Sequence, residues 1–321
     1  MKKIAVLADY LEPSHHALID STAARCGFAV DYYPDCRVPA ELAGTYEVVH
    51  GMPKPGDLKA FTGMKWFCGS FAGVDAYLDD ALYPSPEVML SNSSGAYGVT
   101  IAEHLIMVTL MLLRHADTYL HHADAHRWGP VMPMRSIIGS TITVLGTGDI
   151  GTEFARRAKA MGAKDIRGVR RTKKAADPAF DGVYTHAELD SLLPDTDILV
   201  MALPSTADTV GILSRDRIAL LPETAYVVNV GRGTAIDQSA LVEALNAGKL
   251  AGAALDVFEK EPIPAGDPVW DAKNLLITPH ISGQMSLGYT RDKNVALFCE
   301  DLENYAAGRP LKRYVDRKIG Y

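Results

Sequence analysis

The sequence predicts an α/β fold made of two doubly wound domains, each built on a mostly parallel sheet covered by helices. The chain has 321 residues, of which 48% are hydrophobic, and chains longer than about 250 residues usually split into more than one core. Short apolar, β-branched runs alternate with helical segments along most of the chain. That alternation is typical of βαβ units and parallel sheets.

The first domain is expected to take up about the first ninety residues. Its strand-like runs are IAVLAD, FAVDYY, YEVVHG, KWFCG and VMLSN. One loop at the expected carboxyl edge of the sheet, GSFAGVD at Gly69–Asp75, is rich in small residues. Successive backbone N–H groups of such a loop can form an anion-binding nest. An ordinary turn has the same composition, so both interpretations stay open.

The polar, glycine-rich segment SNSSGAYGVTIAEH marks the crossing into the second domain. A helix is predicted from about Thr100 to Tyr119, with Thr100 as its N-cap and Glu103 completing a capping box. His122 and His126 are four residues apart, a spacing that could hold a metal on a helix. Solvated histidines at a helix end are the simpler explanation, and no metal site is expected.

The stretch Thr141–Arg171 carries the most informative motif. An apolar run leads into a GxGxxG turn at Gly146, Gly148 and Gly151, which is followed by a helical segment and a second short strand. Glycines let the backbone approach a pyrophosphate, and the helix offers it unpaired N–H groups and a positive dipole end. This context predicts a Rossmann-type dinucleotide site, with a glycine-rich turn of another α/β protein as the alternative.

The end of the second strand indicates which dinucleotide is bound. NAD enzymes usually place a carboxylate there to accept from the ribose hydroxyls. This chain continues instead with Arg170, Arg171, Thr172, Lys173 and Lys174. Two guanidinium groups and a hydroxyl suit a 2′-phosphate. NADPH is therefore the predicted cofactor, with NAD as the second option, and the alternative is a solvated basic loop.

The βα alternation resumes after this motif and continues to NLLITPH. Within it, one helix is predicted to begin at the N-cap Asp237 and to end at Gly248. The cofactor domain is expected to cover residues 97–288. The final helical segment is expected to return to the first domain, which then comprises residues 1–96 and 289–321.

Three polar residues follow strands of the second domain: Arg232 in VVNVGRG, Glu261 in LDVFEKEP and His280 in TPHISG. Reduction of a 2-oxoacid requires a cation to hold the substrate's oxygens and an acid to protonate the carbonyl oxygen as hydride arrives. Arg232 and His280 can supply these groups, and Glu261 would orient the imidazole and favour its protonated form. Each residue alone has an ordinary structural explanation. Together, after a dinucleotide motif, they predict one catalytic site.

Composition argues against several other classes of protein. A formal charge of -7 provides no basic field for nucleic acid. The four cysteines have no metal-ligand spacing, which is typical of reduced thiols in a cytoplasmic protein. The apolar run Leu105–Leu113 is far shorter than the roughly 20 residues that span a bilayer, and Asp9 interrupts the apolar start of the chain before a signal peptide could form. Neither nucleic acid nor membrane is an expected partner.

The motifs resemble those of the D-isomer-specific 2-hydroxyacid dehydrogenase family along essentially the whole chain. The matching segments are GTGDIG, LPSTADTVGIL, NVGRG, ALDVFEKEP and the closing Pro279-His280. The resemblance implies a Rossmann dinucleotide-binding domain inserted into a flavodoxin-like substrate domain, and it places the family's catalytic Arg, Glu and His on Arg232, Glu261 and His280. The cofactor-binding residues expected from the motifs and the resemblance are Thr100, Gly146, Thr147, Gly148, Asp149, Ile150, Gly151, Arg170, Arg171, Thr172, Leu203, Pro204, Val230, Asp256, His280, Ser282 and Gly283.

Within the family the chain is most similar to the glyoxylate/hydroxypyruvate reductase A branch. The similarity rests on RWGP before the glycine loop, on RRT after the second strand and on the ending VDRKIGY. That branch reduces short 2-oxoacids with NADPH. The substrate-binding residues implied by the resemblance are Met52, Phe71, Ala72, Gly73, Trp128 and Arg232. Ala72 and Gly73 would bind the substrate carboxylate through their N–H groups together with Arg232. Trp128 would lie near the substrate pocket, on the arm that forms a homodimer, and Met52 and Phe71 would bound the substrate's side chain.

Several alternatives remain open. The segment SNSSGAYGVTIAEH departs from the branch and is closer to dehydrogenases of broader range, so the chain could act on bulkier 2-oxoacids. Two other dehydrogenases are rival assignments within this family. Phosphoglycerate dehydrogenase usually prefers NAD, and the basic end of the second strand argues against it. Formate dehydrogenase would carry Gln beside the His, and Glu261 at that place argues against it. Corepressors of the C-terminal-binding type keep this fold but act as assembly platforms. An exposed peptide-binding surface and long tails would distinguish that class.

Overall fold

The fold is given by a computed structural model, which describes residues 1–173 and 177–321. These residues form two compact units, one made of Met1–Tyr97 with Gln284–Tyr321 and the other of Gly98–Gly283. Both are doubly wound α/β structures, which confirms the predicted fold class. The second transition between units lies a few residues before the expected position, in the loop that leads to the last helix.

The first unit is a six-stranded sheet with helices on both faces. Numbered in chain order, its strands are β1 (Lys2–Leu7), β2 (Phe28–Tyr32), β3 (Val48–Gly51), β4 (Trp66–Gly69), β5 (Met89–Ser91) and β13 (Tyr314–Val315), and its α-helices are α1 (Pro13–Arg25), α2 (Ala40–Ala43) and α9 (Gly288–Ala306). The order is β13-β5-β4-β3-β1-β2, with only β13 antiparallel to its neighbour in the described residues. The parallel strands follow the flavodoxin-like order 2-1-3-4-5.

Side chains of β1 alternate between two buried clusters of the first unit. Ile4 and Val6 pack in one cluster, whereas Ala5 and Leu7 pack in the other. A strand that is covered on both faces has to be apolar at nearly every position, which explains the continuous run IAVLA. The loops at the carboxyl ends of such strands are the positions where doubly wound folds bind ligands.

The second unit is a seven-stranded, all-parallel sheet in the order β12-β11-β10-β9-β6-β7-β8. Its strands are β6 (Thr141–Leu145), β7 (Asp165–Arg170), β8 (Gly182–Thr185), β9 (Ile198–Met201), β10 (Tyr226–Asn229), β11 (Gly252–Leu255) and β12 (Leu275–Ile277). Its α-helices are α3 (Gly98–Leu113), α4 (Ala116–Asp124), α5 (Asp149–Ala160), α6 (Leu189–Leu192), α7 (Arg215–Leu220) and α8 (Gln238–Asn246). From β6 to β11 this is the Rossmann order 3-2-1-4-5-6, with β12 added at the edge.

The long helix predicted between the domains is wrong in two respects. It begins at Gly98, so Thr100 lies in the first turn and is not the N-cap. It also breaks before α4, because His115 adopts a left-handed conformation with φ of 54°. His126 lies beyond the end of α4 with φ of 49°, so it does not share a helix face with His122. Within the described residues no group of His, Cys, Asp and Glu has a metal-binding arrangement.

The predicted ends of α8 are confirmed. The Asp237 carboxylate accepts from the Ala240 N–H, and Gly248 follows the helix with φ of +69°. Among the described helices, no single one has the length and apolar character needed to cross a membrane, although α3 and α4, bent by 66°, meet those two criteria when taken together.

Candidate active site

The glycine loop after β6 is shaped by close backbone packing. A Cβ on Gly146, whose φ is +103°, would lie 2.6 Å from the Ala202 carbonyl oxygen, and one on Gly151 would lie 1.9 Å from the Gly146 oxygen. A Cβ on Gly148 would meet no atom within 4 Å. Two of the glycines are therefore required by the fold, whereas Gly148 leaves an open surface at the start of α5.

The start of α5 fits a pyrophosphate. Its N-cap residue is Gly148, which has no side chain to cap the helix, unlike Asp237 at the start of α8. The Asp149 carboxylate, which could repel an anion, accepts from the Gly98 N–H at 2.7 Å. The carboxylate is thus hydrogen-bonded to the first residue of α3. Thr147 and Ile150 flank these positions in the same loop and helix.

The end of β7 presents cations. Arg170 is its last residue and is half-buried, and Arg171 and Thr172 are exposed. In the described part of the chain Arg170 has no ion pair, while Lys173 contacts Glu188 at 3.4 Å. Lys174, also part of the basic run, lies outside the described residues. Arg170, Arg171 and Thr172, the residues predicted to hold a 2′-phosphate, thus lie together at this strand end.

His186, which sequence analysis did not single out, lies beside this strand end. β8 pairs with β7 so that Thr185 is opposite Arg170, and His186 follows directly. Burial lowers the pKa of His186; the charge of Asp208 opposes this effect, and the charges of Arg217 and Arg171 add to it. The net effect favours the neutral form of the imidazole next to the basic cluster. Its only sequence signal was its position after a short strand.

Arg232 follows β10 between two glycines. A Cβ on Gly231 would lie 2.7 Å from the backbone of Leu203, and one on Gly233 would lie 1.9 Å from the Phe258 carbonyl carbon. The buried Asn229 binds both sides of the turn, because its Nδ2 donates to the Arg232 oxygen and its Oδ1 accepts from the Gly231 N–H, each at 2.9 Å. The sequence NVGRG thus encodes a tightly packed turn with one half-buried guanidinium.

Glu261 and His280 are brought together, as predicted. The imidazole Nδ1 lies 2.6 Å from Glu261 Oε2, and Glu261 Oε1 accepts from the Phe258 N–H at 2.9 Å. Nδ1 is therefore the ring nitrogen that faces the carboxylate. Arg232, Glu261 and His280 follow β10, β11 and β12, which are adjacent parallel strands, so the three turns lie at one edge of the sheet.

The turn that carries His280 is fixed by the buried Asp256. Its carboxylate accepts from the Thr278 hydroxyl at 2.6 Å and from the N–H groups of Ile281 at 2.9 Å and Ser282 at 3.0 Å. The His280 N–H also donates to the Asp256 backbone oxygen. These bonds hold His280 at φ of 51°, a conformation that costs a non-glycine residue about 1–3 kcal/mol. Asp256 has a clear structural task beside the expected one at the cofactor.

The remaining expected cofactor residues of the second unit lie along the same strand ends. Leu203 and Pro204 follow β9, Val230 follows β10, and Ser282 and Gly283 end the His280 turn. His104 on α3 was not predicted, and its Nε2 lies 3.4 Å from the Thr278 hydroxyl. Burial lowers the pKa of His104, and the charge of Asp256 partly offsets that effect. Thr100 is buried in the first turn of the same helix.

The substrate residues predicted for the first unit lie in the loops after β3 and β4. Met52 follows β3 and is partly exposed, and Gly69 ends β4. The Phe71 ring stacks on Tyr77 with centroids 4.5 Å apart and covers Gly69. Within the described chain, the backbone N–H groups of Ala72 and Gly73 donate to no protein acceptor. Both N–H groups are thus available to an external acceptor, which an anion-binding nest requires.

Trp128 belongs to the second unit. It follows α4 in a loop and its side chain is fully exposed. It is one of a group of exposed large apolar side chains in this region, namely Leu120, Trp128, Met132, Met134 and Ile138.

Comparison with known proteins assigns this arrangement to a family. Residues 106–282, just over half of the chain, match the sequence profile of "D-isomer specific 2-hydroxyacid dehydrogenase, NAD binding domain". Glyoxylate/hydroxypyruvate reductase A of Klebsiella pneumoniae (strain 342) is 32% identical over 257 residues, which are 78% of this chain and 80% of the relative.

Two solved structures are similar along the whole chain. A D-isomer specific 2-hydroxyacid dehydrogenase from Xanthobacter autotrophicus Py2, in complex with NADPH and MES, has a TM-score of 0.83 and 28% identity, covering 100% of this chain and 99% of that one. The NADPH-dependent glyoxylate/hydroxypyruvate reductase from Sinorhizobium meliloti, in complex with NADP and sulfate, has a TM-score of 0.81 and 27% identity, with full coverage of both chains. The chain belongs to the D-isomer specific 2-hydroxyacid dehydrogenase family and is an NAD(P)-dependent oxidoreductase that acts on 2-oxoacids or their 2-hydroxyacids.

Proposed function

We propose that the protein reduces small 2-oxoacids, such as glyoxylate and hydroxypyruvate, to D-2-hydroxyacids with NADPH as the preferred cofactor. The observation that carries this proposal is the 2.6 Å contact between His280 Nδ1 and Glu261 Oε2, on strand ends next to Arg232 and in the same unit as the glycine loop. Carbonyl reduction requires a proton donor and a cation that stabilises the developing negative charge. The imidazole and the guanidinium on neighbouring strand ends can supply these two groups.

Each side chain of the proposed catalytic set has one task. NADPH, when bound, supplies the hydride for the substrate's C2 carbon. His280 Nε2 gives its proton to the carbonyl oxygen, and Glu261 holds the imidazole through Nδ1 and balances its positive charge. The Arg232 guanidinium binds the substrate's oxygens and stabilises the negative charge that develops on them.

The preference for NADPH rests on the strand end at Arg170, Arg171 and Thr172. A dianionic 2′-phosphate is bound best by paired guanidinium groups, and there is no carboxylate at this position to accept from a ribose hydroxyl. The complexes of the Xanthobacter and Sinorhizobium proteins with NADPH and NADP support the same preference. NAD remains an accepted but weaker cofactor in this proposal.

The carboxylate of the substrate is assigned to the N–H groups of Ala72 and Gly73. Met52 and Phe71 are proposed to bound the substrate's side chain, because both are apolar and flank the ends of neighbouring strands. Trp128 lies in the loop after α4, among the exposed apolar side chains between residues 120 and 138. We propose that these side chains form the contact with a second copy in a homodimer and that Trp128 approaches the substrate from there. The four free cysteines agree with a cytoplasmic enzyme.

The test is the initial rate of NADPH or NADH oxidation with glyoxylate, hydroxypyruvate, pyruvate and phenylpyruvate, together with chiral analysis of the product. Fast turnover of the two smallest acids with NADPH, giving the D-hydroxyacid where the product is chiral, supports the proposal. Turnover of phenylpyruvate alone would replace it with a broad-range dehydrogenase. No turnover by protein that still binds NADPH would favour the binding-platform alternative.

A further inference from the structure

The loop Gly69–Gly73 is held from one side through its carbonyl groups. Four successive backbone oxygens each accept a hydrogen bond from the segment between residues 92 and 97. The donors are Ser93 Oγ to Gly69 O at 2.9 Å, Tyr97 Oη to Ser70 O at 2.6 Å, Ser93 N to Phe71 O at 2.9 Å and Asn92 Nδ2 to Ala72 O at 2.6 Å. The carbonyl groups of four successive residues are therefore all satisfied by the protein itself.

The anchoring determines where the N–H groups of the loop point. In a trans peptide the N–H is directed opposite to the preceding carbonyl. Because the oxygens of Phe71 and Ala72 are bound on one side, the N–H groups of Ala72 and Gly73 are directed to the other. They have no acceptor in the described chain. The bonds on the carbonyl side therefore set the orientation of the nest.

Asn294 and Tyr10, from opposite ends of the chain, hold the residues that bind the loop. Asn294 of α9 donates from Nδ2 to Ser93 Oγ at 2.6 Å, which leaves its Oδ1 to accept from the Tyr10 hydroxyl at 2.8 Å. A phenol has one proton to donate, so the contact of 2.7 Å between Tyr10 and Ser70 runs from the Ser70 hydroxyl to Tyr10 Oη. Ser93, which accepts from Asn294, gives its own proton to the Gly69 oxygen. The donor and the acceptor of each hydrogen bond among Asn294, Tyr10, Ser70 and Ser93 are thus defined.

The network is closed to water. Ser70 and Asn294 are completely buried, and Ser93 and Tyr10 nearly so. Burial raises the pKa of Tyr10 and of Tyr97, so both phenols stay protonated and remain donors. Hydrogen bonds in such surroundings are strong and costly to leave unpaired.

We propose that Asn294, acting through Ser93 and Tyr10, is a positioning residue that aims the Ala72–Gly73 nest at the carboxylate of the 2-oxoacid, an inference that rests on the proposed function. Asn294 lies more than two hundred residues after the loop in the sequence, and Tyr10 lies in the loop between β1 and α1. The returning C-terminal segment therefore contributes to substrate affinity as well as to the sheet.

The test compares Asn294→Ala and Tyr10→Phe with wild type. Each is expected to raise KM for glyoxylate about tenfold while kcat at saturation stays within about twofold, because the nest binds the carboxylate equally in the ground and transition states. The double variant is expected to raise KM less than the product of the two single effects, since both changes interrupt one network. KM for NADPH is expected to stay unchanged.

Matched controls come from the same helix. Asn304→Ala removes another buried Asn of α9, and Tyr305→Phe removes a hydroxyl that binds Glu47 at 2.9 Å. Both are expected to leave KM for glyoxylate within about twofold of wild type at comparable melting temperatures. If Asn294→Ala fails to fold, the milder Tyr10→Phe carries the test.

An unchanged KM for glyoxylate in folded Tyr10→Phe, or equal increases in the control variants, would overturn the inference. If wild type reduces no 2-oxoacid, the proposed function fails separately, and calorimetric titration with oxalate in the presence of NADP decides the inference without turnover. Oxalate affinity about tenfold weaker in Tyr10→Phe than in wild type supports it. Equal affinity, or no binding to wild type, contradicts it.

Discussion

His280 shows how much of the proposed site depends on single residues. Its left-handed φ of 51° is unfavourable for a side chain with a Cβ, and the surrounding bonds to Asp256 compensate for that cost. Residues held in such conformations are concentrated at functional sites. The contact with Glu261 then fixes the remaining freedom of the ring.

His280→Ala is expected to lower kcat for glyoxylate reduction about a hundredfold or more, as for loss of a general acid. Affinity for NADPH, measured by fluorescence titration, is expected to change little, because the glycine loop and the β7 end are untouched. Asp237→Ala, which removes an Asp that caps α8, is the control for general damage to the same unit. Near-normal turnover by His280→Ala would remove this residue from the mechanism.

Cofactor preference is expected to depend on Arg170 and Arg171. The double variant Arg170→Asp/Arg171→Ala introduces an acceptor for ribose hydroxyls and removes the phosphate-binding cations, so the ratio of kcat/KM for NADPH over NADH is expected to fall by about a hundredfold or more. Arg156→Ala, on the exposed side of α5, serves as the cation control. A ratio equal to that of wild type would place the 2′-phosphate elsewhere.

At the scale of elements, parallel strands with both faces covered leave little room for polar side chains. His50, in the middle of β3, is completely buried, and its ring stacks on Phe298 of α9 with centroids 3.9 Å apart. Its Nδ1 lies 3.1 Å from the Cys68 carbonyl oxygen. Burial lowers the pKa of His50 to about 4, so the ring is neutral in the native state.

His50 is expected to make the first unit sensitive to acid. The unfolded state binds a proton below its ordinary pKa near 6.5, whereas the folded state resists until about pH 4, so stability is lost as pH falls through that window. Between pH 7.5 and pH 5 this amounts to about 2 kcal/mol. In urea unfolding, the free energy of unfolding of His50→Phe is expected to fall by about 2 kcal/mol less than that of wild type between pH 7.5 and pH 5. His121→Phe, at an exposed His of α4, is the control. Equal losses in wild type and His50→Phe would contradict the assignment.

At the scale of the whole molecule, the chain leaves and re-enters its first unit. Residues 284–321 supply α9 and β13 to the sheet begun by the N-terminal segment. In the second unit, large apolar side chains between residues 120 and 138 are exposed, among them Trp128 and Met132. Exposed apolar side chains that form one patch mark an interaction surface.

A homodimer is the expected assembly. Sedimentation velocity of wild type is expected to give one dimeric species at micromolar concentration. Trp128→Ser combined with Met132→Ser is expected to shift it toward monomer, because two large apolar side chains leave the interface. Trp270→Ser, a partly exposed Trp elsewhere in the second unit, is the control. A monomeric wild type would show that the exposed group does not form a dimer.

Local sequence patterns determined the α/β class and most strand positions, because a buried parallel strand has to be apolar almost throughout and its turns need particular residues. They also identified the glycine loop and the pairing of Glu261 with His280, since each follows a strand of one parallel sheet. Local patterns failed at the helix from Gly98, where His115 interrupts an otherwise helical run and His126 falls beyond the next helix.

Tertiary structure alone decided the contacts between residues far apart in the chain. Asn294 meets Ser93 across 201 residues and Tyr10 across 284, and no local period marks a buried Asn as the partner of a loop. His186 lies near Arg171 because β8 pairs with β7. Asp256 binds the turn that carries His280 through its side chain. Sequence periodicity reports which face of an element is buried, whereas the identity of the neighbour depends on how the elements are arranged in space.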